Sequence, residues 1–442
     1  MSSSHQGHDG QSDPSGTAPV ADPLSPPTRA SLWRLATPQF FALAVEPVTG
    51  LADTWFVSDL GELPLASLGV GVTVMTGTVW LFNFLGVCGA TEIARSFGAG
   101  QVERLRVVTA TMTALSVAFG LFLAGLLLGL SKEILELFEL DRAAVPSGSR
   151  YLQIRSASAP FVIFLLAGTG VLRGLQDMRT PMWIAVLTAL LNIGLDALLV
   201  PTMGLRGAAI GTTVAQAIGA IALAVCVFRR VGLAAPSARE VPLLLRVGRD
   251  MFLRTAALHV FLFATVRRVN DIGIAAAAAH HVVRQVWLLT AMLLDAFAVS
   301  TQSLVGYFVG ASRRDLARKA VRIGVEQSVL GGVALGLGMY LVTDLVAAEA
   351  FQGSFRERAI EAFSAAWLVA CLSQPINALA FASDGALWAV SRYAFLRNVM
   401  LLATGAGVAA IVFADSLTMV WIAITGWTVI RAGFGVSALR SI

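Results

Sequence analysis

Charge is what this chain has least of. Lysine, arginine, aspartate and glutamate make up 13% of its 442 residues, against roughly 25% in an ordinary soluble protein. Histidine (5), tyrosine (4) and cysteine (3) are scarce as well. With 56% apolar residues and a mean hydropathy of +0.75, this excludes a water-soluble globular protein, a disordered chain and a nucleic-acid binder. Cys88, Cys226 and Cys371 lie in apolar stretches without metal-like spacing. No disulfide scaffold or metal site is expected, and the three read as small packing residues. Catalytic signatures are missing too: no Walker A loop, no His-Glu-x-x-His, no Gly-x-Ser-x-Gly. Gly69-Val70-Gly71 falls inside a hydrophobic run and is no dinucleotide fingerprint. The sequence therefore implies neither an enzyme nor a cofactor, and without an ATP site any work must draw on an ion gradient or the substrate's own.

What remains is organised by length. Residues 1–28 are rich in Ser, Gly, Pro and Asp, so they cannot bury enough apolar area to offset the entropy of ordering. They also lack the basic start and apolar core of a signal peptide. A disordered cytoplasmic tail over 1–30 is expected. Beyond it the chain divides into apolar runs of about 20 residues, the length a helix needs to cross a bilayer. The runs fall at 37–57, 65–90, 107–130, 151–172, 182–201 and 207–228, then at 243–266, 275–309, 321–346, 359–390, 396–413 and 419–437. A basic, proline-containing connector at 229–242 separates the two sets. The fold expected is an all-α polytopic membrane protein with twelve transmembrane helices in two six-helix lobes, 31–228 and 243–442. About 20 of the 32 basic residues sit in the tail, after even-numbered spans or at the C-terminus, which places both termini in the cytoplasm of a multi-pass protein of the cell membrane. The formal charge of +5 belongs to these loops.

The two sixes resemble each other. A shift of about 212 lays FGAGQVERLR (97–106) over FVGASRRDLAR (308–318), Gly98 on Gly310. A similar shift lays Arg173-Gly174 over Asp384-Gly385, each at the end of a fourth span. Six spans per half give both copies the same orientation, with the pseudo-two-fold axis along the membrane normal, an arrangement suited to alternating access.

An ionised side chain in hydrocarbon costs at least about 2.5–3.5 kcal/mol, so each intramembrane charge needs a reason. Spans one and five both run outward and end near 57 and 201, which brings Asp53 and Asp196 to nearly equal depth. Asn192 shares a helix face with Asp196, and Thr212 enters at a similar level on span six. Two carboxylates brought together away from water favour one shared proton. The plainer alternative makes each a solvated cap near the interface. Pro47, directly after Glu46, removes a backbone hydrogen bond near Leu43 and is expected to kink span one as a hinge; simple packing is the alternative. Asp295 and Asp384 are the acidic residues of the second half, and Arg254 or Arg284 is available to pair with either, as a structural ion pair or as part of a substrate cavity. His280 and His281 are adjacent, point about 100° apart on a helix and make a poor metal pair. Met75, Met112, Met292 and Met400 are candidates for an adaptable cavity lining or for ordinary packing.

These residues carry a resemblance. PVTGLADTWFVSDLGELPLASLGVG (47–71), NIGLDALLV (192–200) and GLRGAAIGTT (204–213) are similar to the first, fifth and sixth spans of the multidrug and toxic compound extrusion (MATE) transporters. FLRTAAL (252–258), LLDAFAVSTQSLVG (293–306) and QPINALAFASDG (374–385) resemble its DNA-damage-inducible F branch. The resemblance covers about 32–440 and implies a V-shaped pair of lobes, monomeric, that exchanges protons or sodium for small organic compounds, often cationic. It implies coupling through Asp53, Asn192, Asp196 and Thr212, with protons ahead of sodium, and a second site or cavity around Glu46, Arg254, Arg284, Asp295 and Asp384. Glu46 before the proline resembles the branch that includes plant organic-acid exporters. Two other readings stay open, a flippase for lipid-linked precursors, to which Arg155, Arg254 and Arg284 would be relevant, and a polytopic enzyme or receptor. Membrane lipids are the only macroscopic partner implied.

Overall fold

The computed structural model describes residues 25–138, 140–351 and 356–440. The expected tail lies outside the described residues up to position 24, as does the Glu46 side chain. Among the described residues all regular structure is helical. α1 (Arg29–Ser58) starts where Thr28 and Ser31 cap each other, the Ser31 N–H donating to Thr28 Oγ1 and the Thr28 N–H to Ser31 Oγ. It is followed by α2 (Glu62–Trp80), α3 (Phe84–Gly98), α4 (Val102–Leu137), α5 (Val145–Ser156), α6 (Ala159–Gly174), α7 (Arg179–Met203) and α8 (Leu205–Val231). The second half holds α9 (Val241–Ile272), α10 (Ile274–Gly310), α11 (Arg314–Leu341), the short α12 (Thr343–Ala350), α13 (Arg356–Ala389), α14 (Tyr393–Val412) and α15 (Leu417–Leu439).

Among the described residues ten stretches, or eleven with α5 and α6 counted as one span bent by 50°, are long and apolar enough to cross a membrane. Twelve were expected, and α9 accounts for the difference. Its 32 residues reach about 48 Å at 1.5 Å per residue, but Arg246, Arg249, Asp250, Arg254, Arg267 and Arg268 make it too charged by composition. The protein satisfies several of these charges internally. Asp250 accepts from Arg249 and Arg397, and Arg268 Nε donates to the Ala414 carbonyl at 2.7 Å. Span two is likewise broken at 81–83 between α2 and α3. The kink expected at Pro47 does not interrupt α1, whose helix runs through both Pro38 and Pro47.

The helices form two bundles, α1–α8 and α9–α15, joined at one end only. The end that carries the α8–α9 connector and the last turn of α15 is here termed the connector end. One core runs through both bundles there, taking in Leu32, Phe84, Ile93, Phe297, Tyr307 and Leu387. At the opposite end the cores are separate: Val57, Tyr151 and Val200 in one bundle, Phe261, Trp287, Trp367 and Trp421 in the other. Burial thus closes the connector end and leaves a cleft towards the other. Met75, Met112 and Met400 are buried packing residues in these cores.

The internal repeat makes the closure. A Cβ on Gly98 would stand 2.0 Å from the Tyr307 carbonyl oxygen, and one on Gly310 2.0 Å from that of Arg95. Thr91 Oγ1 donates to the Trp388 carbonyl and Ser303 Oγ to that of Arg173. Each contact has its counterpart 212 residues on in spans one to three. In the fourth spans the step is 215, which corrects the expected pairing of Gly174 with Gly385. Gly170 packs on the Gly86 carbonyl as Gly385 packs on that of Ala298, and the left-handed residues closing α6 and α13 are Gln176 and Ser391. Arg173 therefore corresponds to Trp388, and Asp384 to Thr169.

Candidate functional site

Two charged clusters lie inside the bundles, one in each. In the first, α1 contributes Asp53, 7% exposed, and α7 contributes Asn192 and Asp196, the latter 0% exposed. The two carboxyls abut and the Asn192 amide faces Asp53. Thr212 on α8 joins indirectly: it accepts from Asn192 Nδ2 at 3.0 Å and donates its own proton to the Ala208 carbonyl at 2.8 Å. Its hydroxyl positions the amide. Gly211 lets α8 approach, since a Cβ there would stand 2.6 Å from Asp196 Oδ1. No donor reaches Asp53 Oδ1, Asn192 Oδ1 or either Asp196 oxygen. Buried acceptors are rarely left unpaired, and four together form a polar pocket fit for a proton, a water or a small cation.

The sequence reading brought these four residues together at the right depth but not their neighbour. Arg155, on the last turn of α5, carries the charge that acts on both carboxylates. Its Nη1 donates to Gln216 Oε1 at 2.8 Å and to Ser158 Oγ at 3.1 Å. Tyr151, one turn earlier, lies against Arg155 and packs its ring on Gly71. Four helices thus converge on one acidic pair.

In the second bundle Asp384 Oδ2 accepts from Arg254 Nη2 at 2.5 Å and from Arg431 Nη2 at 2.8 Å, with side chains only 6%, 12% and 7% exposed. Trp388 lies under the Arg254 guanidinium and Trp427 under that of Arg431, which adds cation–π attraction to each. Asp295 senses Arg173, Arg254 and Asp384. Among the described residues neither Asp295 nor Arg173 closes an ion pair within 4 Å. Of the two partners expected for these carboxylates, Arg254 takes Asp384 and Arg284 takes neither. Arg284 instead lines a separate cavity of about 160 Å³ with Asn270, His280 and His281. The two histidines diverge, His280 buried against Trp421 and His281 exposed. Arg173 escaped the sequence reading because it sits in the last turn of α6, where a basic residue normally snorkels to the interface. Nothing in the span that carries Arg431 named its partner.

Neither cluster is repeated at the corresponding positions of the other half. Gly61 and Gly273, both left-handed, cap α2 and α10 212 residues apart, so Asp53 corresponds to Thr265 and Arg254 to Ala42. Ser158 Oγ bonds the Arg155 carbonyl as Ser373 Oγ bonds that of Ala370, both at 2.8 Å, so Arg155 corresponds to Ala370. Each cluster is unique to its half.

Comparisons with known proteins agree with this architecture. Residues 38–198 match the MatE family model. The chain is 30% identical over 390 residues to Protein DETOXIFICATION 44, chloroplastic, of Arabidopsis thaliana, covering 84% of this chain and 74% of that one. It is 27% identical over 331 residues to DNA damage-inducible protein F of Escherichia coli (strain K12), covering 72% and 71%. A crystal structure of MATE in the bent conformation superposes with a TM-score of 0.85 at 21% identity, covering 96% of this chain and 97% of that one, and carries the fold. Family match, relatives and two-bundle helical architecture lead to one identification: the chain belongs to the MATE family of multi-pass membrane proteins, secondary transporters and not enzymes.

Proposed function

We propose that this transporter is a proton-coupled antiporter of the DNA-damage-inducible F branch. It exports small organic compounds, cationic or amphipathic, across the cytoplasmic membrane as a monomer by alternating access. The observation that carries the reading is the buried pair Asp53–Asp196, whose three buried oxygen atoms, with Asn192 Oδ1, no protein donor reaches. A proton taken up there discharges the site. Lobes 31–228 and 243–442, linked by 229–242, are the moving bodies, and Pro47 is a point where α1 can bend. Substrate release and proton uptake are then linked through one conformational equilibrium. The test is dye efflux from loaded proteoliposomes under an imposed pH gradient, then under a sodium gradient at equal pH. Efflux in the first and not in the second is expected. Activity in neither, with binding of a lipid-linked precursor, would move the assignment to a flippase.

One observation favours a second reading, export of organic anions. Three guanidinium groups, Arg254 and Arg431 of the second bundle and Arg173 reaching in from α6 of the first, face the carboxylates Asp295 and Asp384, an excess of one positive charge where an acidic substrate group can dock. Competition of dye efflux by aromatic carboxylates, and none by aromatic ammonium compounds, would select it.

In this reading the connector end is cytoplasmic. Gly61→Cys and Asp415→Cys should be labelled by an impermeant thiol reagent added to intact cells, and Arg313→Cys only after permeabilisation. Labelling of Arg313→Cys in intact cells would invert the topology.

A further inference from the structure

We infer that Arg155 is the residue that restricts the coupling ion to a proton, by holding the place of a cation beside the acidic pair. The inference rests on the antiport reading above and deepens it. The oxygen set itself does not discriminate: unpaired carboxylate and amide oxygens are the ligands hard cations prefer. What distinguishes this pocket is the guanidinium beside it. Arg155 is 6% exposed, and an arginine cannot be deprotonated inside a protein, so its charge is permanent. It is held back from the carboxylates by Gln216 and Ser158, and its Nε donates to nothing. The groups that face it are Asp53 from α1, Tyr151 from its own helix and Asp196 from α7. α8 contributes Gln216, which does not titrate.

Charge counting then decides. Two carboxylates and one guanidinium leave room for a single further positive charge. A proton supplies it on one oxygen, without needing several ligands at once. A sodium ion would need most of the same oxygens together and would sit near the fixed guanidinium charge, which repels it. The backbone argues that this is an addition to the scaffold. The serine-to-carbonyl bond at the break between α5 and α6 recurs in α13, an unbroken helix, where Ala370 stands in place of Arg155.

The test is radioactive sodium binding to purified full-length protein in detergent, beside sodium-driven and pH-driven efflux in proteoliposomes. Wild type should respond to the pH gradient and bind sodium weakly. Arg155→Gln should bind sodium tighter by about tenfold or more, the effect of removing one unit charge near the site, and should gain sodium-driven efflux. Arg155→Lys, which keeps the charge, should behave as wild type. If the glutamine variant misfolds, Arg155→Met removes the charge without stranding a polar group and replaces it. A folded neutral variant that still transports under a pH gradient and binds sodium no better than wild type overturns the inference alone. Sodium binding by Arg155→Lys equal to that of the neutral variant also overturns it. Sodium-driven efflux by the wild type overturns the proton reading and this inference together.

Discussion

Asp53→Asn is expected to abolish pH-driven efflux while the protein still inserts and folds. The amide mimics the protonated acid permanently, so the site can no longer cycle between charge states, and an asparagine fits the same volume beside Asn192. Asp196→Asn should do much the same. The double variant should be no worse than either single, because two groups that act as a unit give non-additive losses. Efflux at near wild-type rate in Asp53→Asn, read against a monodisperse protein peak, would sink coupling through the first bundle. The second-bundle acids are the natural controls, and the structure divides them. Asp295 closes no ion pair among the described residues, so Asp295→Asn remains a fair comparison. Asp384 is the carboxylate that bridges Arg254 and Arg431. Removing one member of such a buried set costs about 3–5 kcal/mol, so Asp384→Asn should lower the amount of folded protein before it says anything about transport.

Gly310→Val should shift the molecule away from the form in which the connector end is closed. A Cβ there falls 2.0 Å from the Arg95 carbonyl oxygen, which is backbone and cannot swing aside. Overpacking of this kind costs about 1–3 kcal/mol, equivalent to about a 5- to 150-fold change in the population of the closed form. The helix itself tolerates the side chain, because Gly310 has no positive φ, so the cost belongs to the contact between bundles. Gln302, 1% exposed and bonded across to Val87 and Thr91, reports the opening. Gln302→Cys should become reactive to a soluble thiol reagent once Gly310→Val is added. Gly98→Val should act alike, and the pair should cost less than the sum, since one wedge already parts the seam that the other would strain. Unchanged reactivity of the cysteine together with unchanged efflux would mean that the seam does not part during transport.

The fold was legible wherever hydrophobic length alone decides it. Most spans stand out because a lipid-facing helix must be apolar along its whole length. α9 defeats a composition test for the opposite reason, since Asp250, Arg254 and Arg268 find partners over a hundred positions away. The break at 81–83 carried no proline or glycine to announce it. Asp53 and Asp196 could be brought together from sequence because depth in a membrane follows from distance to the nearest turn. Rotation about the helix axis does not, which is why Arg155 was weighed as a cation for a lipid-linked precursor but not as the neighbour of that pair. The repeat was visible through Gly98 and Gly310, whose spacing is real, but two residues at Arg173-Gly174 were too few to reveal a step of three.

The seam between the bundles has one more property. Residue 98 meets 307 and residue 310 meets 95, while 91 bonds 388 and 303 bonds 173. A patch that recognises its own copy reciprocally is isologous, the interface of a two-fold dimer, here carried within a single polypeptide. Such an interface resists one-sided change, because an alteration on either copy must be matched on the other. The seam bonds to Arg173 and Trp388 use backbone carbonyls, which leaves side chains free to diverge, and there the halves have parted company: carboxylates beside a guanidinium in one, arginines around a bridging carboxylate in the other. Symmetry is kept for the movement, and asymmetry for the ions.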